Sequence, residues 1–188
     1  MRMTIDAFPP QLHIYTGDGQ GKTSCAIGLA VRAAGAGLRV DWICFDKGFS
    51  DEEHYSERCI LRQLNGLWYE ATGVERMRRG QKFRFGVAAG DREEAQRGLG
   101  LAHQRLAHGP AHILILDEIL SAVSYALLKE EEVWPLIDFF QQTRPRELVL
   151  TGRDASARLI AAADLVTEMR CVKHYFAQGI AARRGIDF

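Results

Sequence analysis

Apolar runs and helical periodicities alternate along this chain. Residues 12 to 16 (Leu-His-Ile-Tyr-Thr) read as a buried strand. From Lys22 to Ala36 nearly every residue is small or apolar, including Ala26, Ile27, Leu29, Ala30 and Ala33. That composition predicts a helix buried on most sides and stopped by Gly35-Ala36-Gly37. Residues 39 to 45, rich in Val, Trp, Ile and Phe, predict a second strand. The charge-rich stretch 51 to 64 predicts a surface helix, and Leu67 to Ala71 a short strand. Residues 72 to 90 are irregular, glycine-punctuated and basic, and so long a connection points to a functional loop. Asp91 to Ala107 is amphipathic, with Ala95, Leu99, Ala102 and Leu106 on one face. Asp91 is placed to cap that helix, with Glu93 and Glu94 in its first turn. His112 to Leu116 is a third buried strand, ending in Asp117-Glu118. A helix over 130 to 143 tolerates Pro135 near its start. A strand over 147 to 150 leads into Thr151-Gly152-Arg153, a helix follows over 154 to 162, and Asp164 to Met169 is the last strand.

Strands alternating with helices imply a mainly parallel sheet covered on both faces, a three-layer α/β fold. At 188 residues the chain suits one domain, residues 1 to 188, with a flexible lead-in over 1 to 11 that Pro9 and Pro10 keep irregular. Lys plus Arg and Asp plus Glu both number 24, so no overall field favours nucleic acid or an acidic membrane. The local basic group Arg76, Arg78, Arg79, Lys82 and Arg84 falls in the long loop. Cys25, Cys44, Cys59 and Cys171 form no CxxC pair and lie near no His at metal spacing, so they read as reduced thiols, three of them in or near the core. No apolar signal core or membrane-length stretch is present, which gives the expectation of a cytoplasmic protein.

The chemistry is concentrated in Thr16-Gly17-Asp18-Gly19-Gln20-Gly21-Lys22-Thr23-Ser24. Glycines let backbone N–H groups turn inward onto phosphate oxygens, and the helix start adds its own N–H groups and positive dipole end. Lys22 supplies a mobile cation, and the Thr23 hydroxyl can hold Mg²⁺ or Mn²⁺. The usual spacing leaves four residues between the first glycine and Gly-Lys. Counting back from Gly21 reaches Thr16, so Gly17 is one residue too close and the loop is compact. Ile113-Leu114-Ile115-Leu116-Asp117-Glu118 is the expected companion: a buried strand projecting acids toward the metal, with Asp117 in its outer shell and Glu118 reaching it directly or through water. The residues alone therefore indicate binding of a Mg-nucleoside triphosphate. A small ATPase or kinase stays open, as does a nucleotide-binding sensor without turnover.

The C-terminus narrows the choice. Glu168-Met169-Arg170-Cys171-Val172-Lys173-His174-Tyr175-Phe176-Ala177-Gln178-Gly179-Ile180, followed by Arg184-Gly185-Ile186-Asp187-Phe188, resembles the closing segment of ATP:corrinoid adenosyltransferases, with Cys171 where that family usually has proline. The compact loop, Leu116-Asp117-Glu118 and Thr151-Gly152-Arg153 are similar too, so the resemblance covers about His13 to Phe188. It implies a P-loop NTPase (RecA-like) fold and transfer of the 5′-deoxyadenosyl group of ATP to the Co(I) of a reduced corrinoid, with triphosphate released. It makes Lys22 and Glu118 catalytic and the loop Gly17 to Ser24 a nucleotide cradle. Thr23, Glu118 and Asp117 become the metal group. Arg32 and Arg153 become phosphate or ribose contacts, against the plainer readings of a helix-surface cation and a loop ion pair. Val172, Lys173 and His174 join the nucleotide pocket. Phe83-Arg84-Phe85 is the best match to a Phe-x-Trp pair that lies against the lower face of the corrinoid, with Phe85 in place of Trp. A reduced flavoprotein as electron donor and a homodimer are implied in the same way.

Overall fold

The computed structural model describes residues 9–48, 55–74 and 86–187. Six strands form one sheet: β1 (Leu12–Thr16), β2 (Val40–Cys44), β3 (Leu67–Ala71), β4 (Ile113–Asp117), β5 (Glu147–Thr151) and β6 (Leu165–Glu168). Their order is β3-β2-β4-β5-β1-β6, and every pairing is parallel. Helices α1 (Lys22–Gly35), α2 (Glu57–Leu61), α3 (Ala89–His108), α4 (Ile119–Ser124), α5 (Glu130–Thr143) and α6 (Ala157–Ala162) flank it, and a short 3-10 helix spans Tyr175–Gln178.

Strand alternation sorts the core into two halves. On one face Leu12, Ile14, Phe45, Leu114, Leu116, Leu148 and Leu150 pack with the apolar stripes of α3 and α5, with α4 and with Leu159 of α6. On the other face Tyr15, Trp42, Cys44, Ile113, Ile115 and Val149 meet Ala26, Ala30 and Ala33 of α1, together with Leu61. The small residues of α1 let its backbone approach the sheet closely, which seats the preceding loop directly over the carboxyl ends of the strands. Among the described residues no helix is long and apolar enough to cross a membrane.

Several elements depart from the sequence expectation. Helix α2 covers only Glu57–Leu61, and residues 51–54 lie outside the described ones. Helix α3 starts two residues before Asp91, which therefore sits in the third helical position; its carboxylate accepts the Ala88 N–H at 2.7 Å, and Glu93 and Glu94 fall beyond the first turn. Helix α4 was not anticipated, because its six residues are too few for a periodicity to emerge. Pro135 stands in the second turn of α5 on the exposed face, one turn further in than expected. Helix α6 starts at Ala157 with Ser156 as its cap, the hydroxyl accepting from Leu159 N–H at 3.1 Å. Of the cysteines only Cys44 is buried; Cys59 is half-buried and Cys25 and Cys171 are exposed, so the expectation of three in or near the core fails. The sheet-facing positions of α1 are taken by alanines, which leaves Cys25 on its outer side.

Candidate active site

The phosphate-type loop is fastened along its length to the end of β6. Gly19 N–H donates to the Met169 carbonyl at 2.7 Å, and Met169 N–H donates to the Thr16 carbonyl at 2.8 Å. The Asp18 carboxylate accepts the Cys171 N–H at 3.0 Å. That bond, above all, holds the Asp18 carboxyl below its ordinary range. Gly17 and Gly21 have φ values of 104° and 119°, the left-handed region that favours glycine. The N–H groups of the first turn of α1 have no acceptor within the helix and face the cradle.

Lys22 reaches back over this loop. Its ammonium donates to the carbonyls of Gly17 and Gly19, each at 2.8 Å. Burial, with Arg153 nearby, lowers its pKa from the usual lysine value. Arg153 donates from its guanidinium to the Asp18 carbonyl at 2.9 Å, while its backbone N–H donates to the Ser121 hydroxyl at 3.0 Å. Gly152 makes this possible: with φ at 140°, a Cβ there would lie 2.5 Å from Ser121 N.

Asp117 ends β4 and is fully buried. Its Oδ1 accepts from Thr23 at 3.0 Å and from Thr151 at 2.7 Å, and its Oδ2 accepts from Lys47 at 2.6 Å. Burial alone would push the Lys47 pKa down; the Asp117 carboxylate outweighs it and holds the ammonium above the usual lysine range. The neighbouring Cys44 thiol is pushed up to about 12, chiefly by burial and then by Asp117, so it is no nucleophile. Glu118 adopts a left-handed backbone with φ at 64°, its N–H donating to Thr151 Oγ1 at 2.9 Å and its carboxylate accepting from the Ser121 hydroxyl. This sparsely populated conformation turns Glu118 out of the strand line and toward the loop.

These groups converge on a cavity of about 400 Å³ lined by Asp18 to Ser24, Glu118, Arg153, His174 and Tyr175. A second cavity of about 550 Å³ shares Thr23, Ser24 and Glu118 with it and adds Lys47 and Tyr55. Asp187 stands in the walls of both; it accepts from Gln20 at 3.3 Å and from the Tyr175 hydroxyl, which pins the C-terminal segment to the loop.

A family model described as ATP:corrinoid adenosyltransferase BtuR/CobO/CobP matches residues 9–188. The chain belongs to the ATP:corrinoid adenosyltransferase family. The corrinoid adenosyltransferase of Pseudomonas aeruginosa is 32% identical over 177 residues, 94% of this chain and 83% of that protein. That of Escherichia coli is 33% identical over 177 residues, 93% and 84% of the two chains. Corrinoid adenosyltransferase CobA of Salmonella typhimurium is 32% identical over 179 residues, again 93% and 84%.

Within this adenosyltransferase fold, the sequence-derived candidates divide. The loop from Asp18 to Ser24, Glu118, Arg153 and His174 share one cavity. Gly17 lies beneath the cradle against Met169. Asp117 sits under Thr23 with its oxygens engaged by protein donors, a placement that orients Thr23. Arg32 is not brought to the loop: it occupies the last turn of α1 and lines a separate apolar hollow with His13 and Glu147. Val172 is 93% exposed, and neither it nor Lys173 lines the nucleotide-side cavity. His174 uses Nδ1 to accept the Phe176 N–H at 3.1 Å, a local cap that aims its ring into the cavity wall. Phe83, Phe85 and the basic residues around them lie outside the described residues. Lys47 was missed; the signal available was a lone lysine just after a buried strand, at the carboxyl end where α/β sheets bind ligands.

Proposed function

We propose that this chain transfers the 5′-deoxyadenosyl group of ATP to the cobalt of a reduced corrinoid and releases triphosphate. Family membership supports the reaction, and the single observation that carries it is the compact loop facing Glu118, Arg153 and His174 across one cavity. The Co(I) electron pair forms the bond to C5′, and the C5′–O bond breaks with its pair passing to the triphosphate. The protein therefore supplies no nucleophile. Its work is to align C5′ with cobalt, exclude water and stabilise charge that gathers on the leaving group.

Lys22 sits on loop carbonyls from which it can swing to phosphate oxygens, and Arg153 adds a second cation. Divalent metal fits the donor set. Thr23 donates its proton to Asp117 and accepts from Lys47 at 3.5 Å, which leaves one oxygen lone pair for a metal, and Glu118 adds a carboxylate. Among the described residues no cluster of three or more His, Cys, Asp or Glu could hold a metal. Few protein ligands with phosphates completing the shell is how Mg²⁺ is usually bound to nucleotides. Mg²⁺ or Mn²⁺ held by Thr23 and Glu118 would neutralise developing triphosphate charge. In this reading the corrinoid would approach C5′ from the side of the neighbouring cavity. Phe83 and Phe85 as lower-face aromatics, a reduced flavoprotein donor, a homodimer and a cytoplasmic setting belong to this proposal through the family resemblance. A small ATPase, kinase or non-catalytic sensor is not favoured, because the match extends from the loop through the C-terminal segment.

Incubation with Mg-ATP and chemically reduced cobalamin tests it. A cobalt–carbon chromophore with tripolyphosphate as co-product is expected. ADP or orthophosphate as product, or no spectral change, would overturn the reading.

A further inference from the structure

The end of β2 is built to place one side chain. Asp46 has φ at 53°, a left-handed value for a non-glycine residue. Lys47 N–H then donates to the Thr72 carbonyl at 2.9 Å, and Thr72 holds the strand end in return, its N–H and hydroxyl donating to the Cys44 carbonyl at 2.8 and 3.0 Å. Gly73, with φ at 123°, lets the two segments touch: a Cβ there would lie 2.9 Å from both Asp46 Cα and Lys47 N. The buried Arg58 guanidinium donates to the Lys47 carbonyl and stacks 4.4 Å from the Tyr55 ring centroid. So much fixed backbone serves an ammonium group that stands 2.6 Å from Asp117 Oδ2 and 3.5 Å from Thr23 Oγ1, with the Tyr55 ring centroid 5.4 Å away.

This is the position that the sequence pattern reserves for a metal's outer-shell acid. Asp117 has no exposed surface, and both its oxygens are engaged by protein donors. A buried carboxylate needs a counter-charge, and here the chain supplies its own. We infer that Lys47 is a positioning residue of the triphosphate site: its ammonium is the fixed counter-cation of Asp117, so that the divalent metal is held from Thr23 and Glu118 without Asp117.

Two consequences follow for the site. With Asp117 neutralised, an approaching triphosphate meets Lys22 and Arg153 without an opposing buried charge. With Asp117 held in place, the Thr23 hydroxyl points its proton inward and keeps a lone pair for the metal. The inference rests on the adenosyltransferase reading only for the identity of the nucleotide; its tests read metal and ATP binding, not transfer.

Mn²⁺ titration followed by electron paramagnetic resonance, with and without ATP, separates the outcomes. The wild-type protein is expected to bind Mn²⁺ tightly only with ATP. Lys47→Met is expected to open a nucleotide-independent Mn²⁺ site that the added Asp117→Asn change removes. It is also expected to weaken ATP binding by about tenfold, the effect of exposing one unit charge to a polyphosphate. Lys47→Arg keeps the charge and is expected to restore the wild-type requirement for ATP. A nucleotide-independent Mn²⁺ site in the wild-type protein that Asp117→Asn abolishes would overturn the inference. Metal and ATP binding by Lys47→Met within twofold of wild type would overturn it too. The wild-type titration involves no substitution in the Lys47 backbone, so poor folding of Lys47→Met leaves a deciding measurement. Loss of transfer with these binding results intact would count against the proposed reaction instead.

Discussion

The Cβ that Gly17 lacks would lie 2.4 Å from the carbonyl oxygen of Met169. The backbone just after β6 packs directly against Gly17 and Gly19 of the loop. Gly17→Ala is expected to force loop and strand apart. The left-handed φ of 104° adds to the clash, and together they should cost at least ~2 kcal/mol. Thermal unfolding and ATP titration check this: a lowered melting temperature together with weakened ATP binding is expected, and wild-type values for both would contradict the packing argument.

Lys22 is held by two loop carbonyls and contributes little to the core, so Lys22→Ala should fold normally. Adenosyl transfer from preformed Co(I) is expected to fall by about 10²–10³, the usual effect of removing one group that stabilises leaving-group charge. Stopped-flow absorbance with circular dichroism as a folding control measures both.

Glu118→Gln keeps the shape of the side chain and its bond to Ser121 but removes the negative charge. The Mg²⁺ concentration giving half-maximal transfer at saturating ATP should rise by about 10-fold or more. An unchanged Mg²⁺ requirement would take Glu118 out of the metal group.

Asp164 links the entry of β6 to two other elements: it accepts from Arg144 at 2.8 and 3.0 Å and from Leu12 N–H at 2.8 Å. The Arg144 hydrogen bond, chiefly, holds its pKa below the ordinary 3.8. The folded carboxyl thus gives up its charge at lower pH than the unfolded one. Its stabilisation is complete above pH 3.8 and is lost as pH falls through the lower folded value. Asp164→Asn is expected to cost ~0.5–1 kcal/mol at neutral pH, because the pair is partly screened by solvent, and to flatten the acid limb of stability, read by urea unfolding from pH 7 down to about pH 2.

Phe83 and Phe85 carry the lower-face proposal. Phe83→Ala and Phe85→Ala are expected to slow turnover from Co(II) with a reductant more than turnover from preformed Co(I). Equal losses in the two assays would remove them from that role.

The patterns were enough to place every strand within a residue or two; β1, β2, β4 and β5 were the plainest, because a buried parallel strand must be a short apolar run and little else fits between amphipathic helices. The loop, Glu118, Arg153 and His174 were also legible, since phosphate chemistry constrains residue type and local spacing together. Arg32 was assigned to the site by resemblance alone; along α1 it lies in the last turn, whereas Lys22 is the first residue. Local pattern says nothing of which end of a helix faces a ligand until the helix is docked.

What the sequence by itself determined was the set of elements and the chemistry of one loop, because both are written in contiguous residues. Tertiary structure alone decided the company those residues keep. Met169 packs against Gly17 and Gly19 of the loop, Gly152 lets Arg153 reach Asp18, and Lys47 pairs with Asp117 across 70 positions of chain. Each is a contact between residues distant in sequence. Such contacts depend on strand order and close backbone packing, which no local spacing encodes.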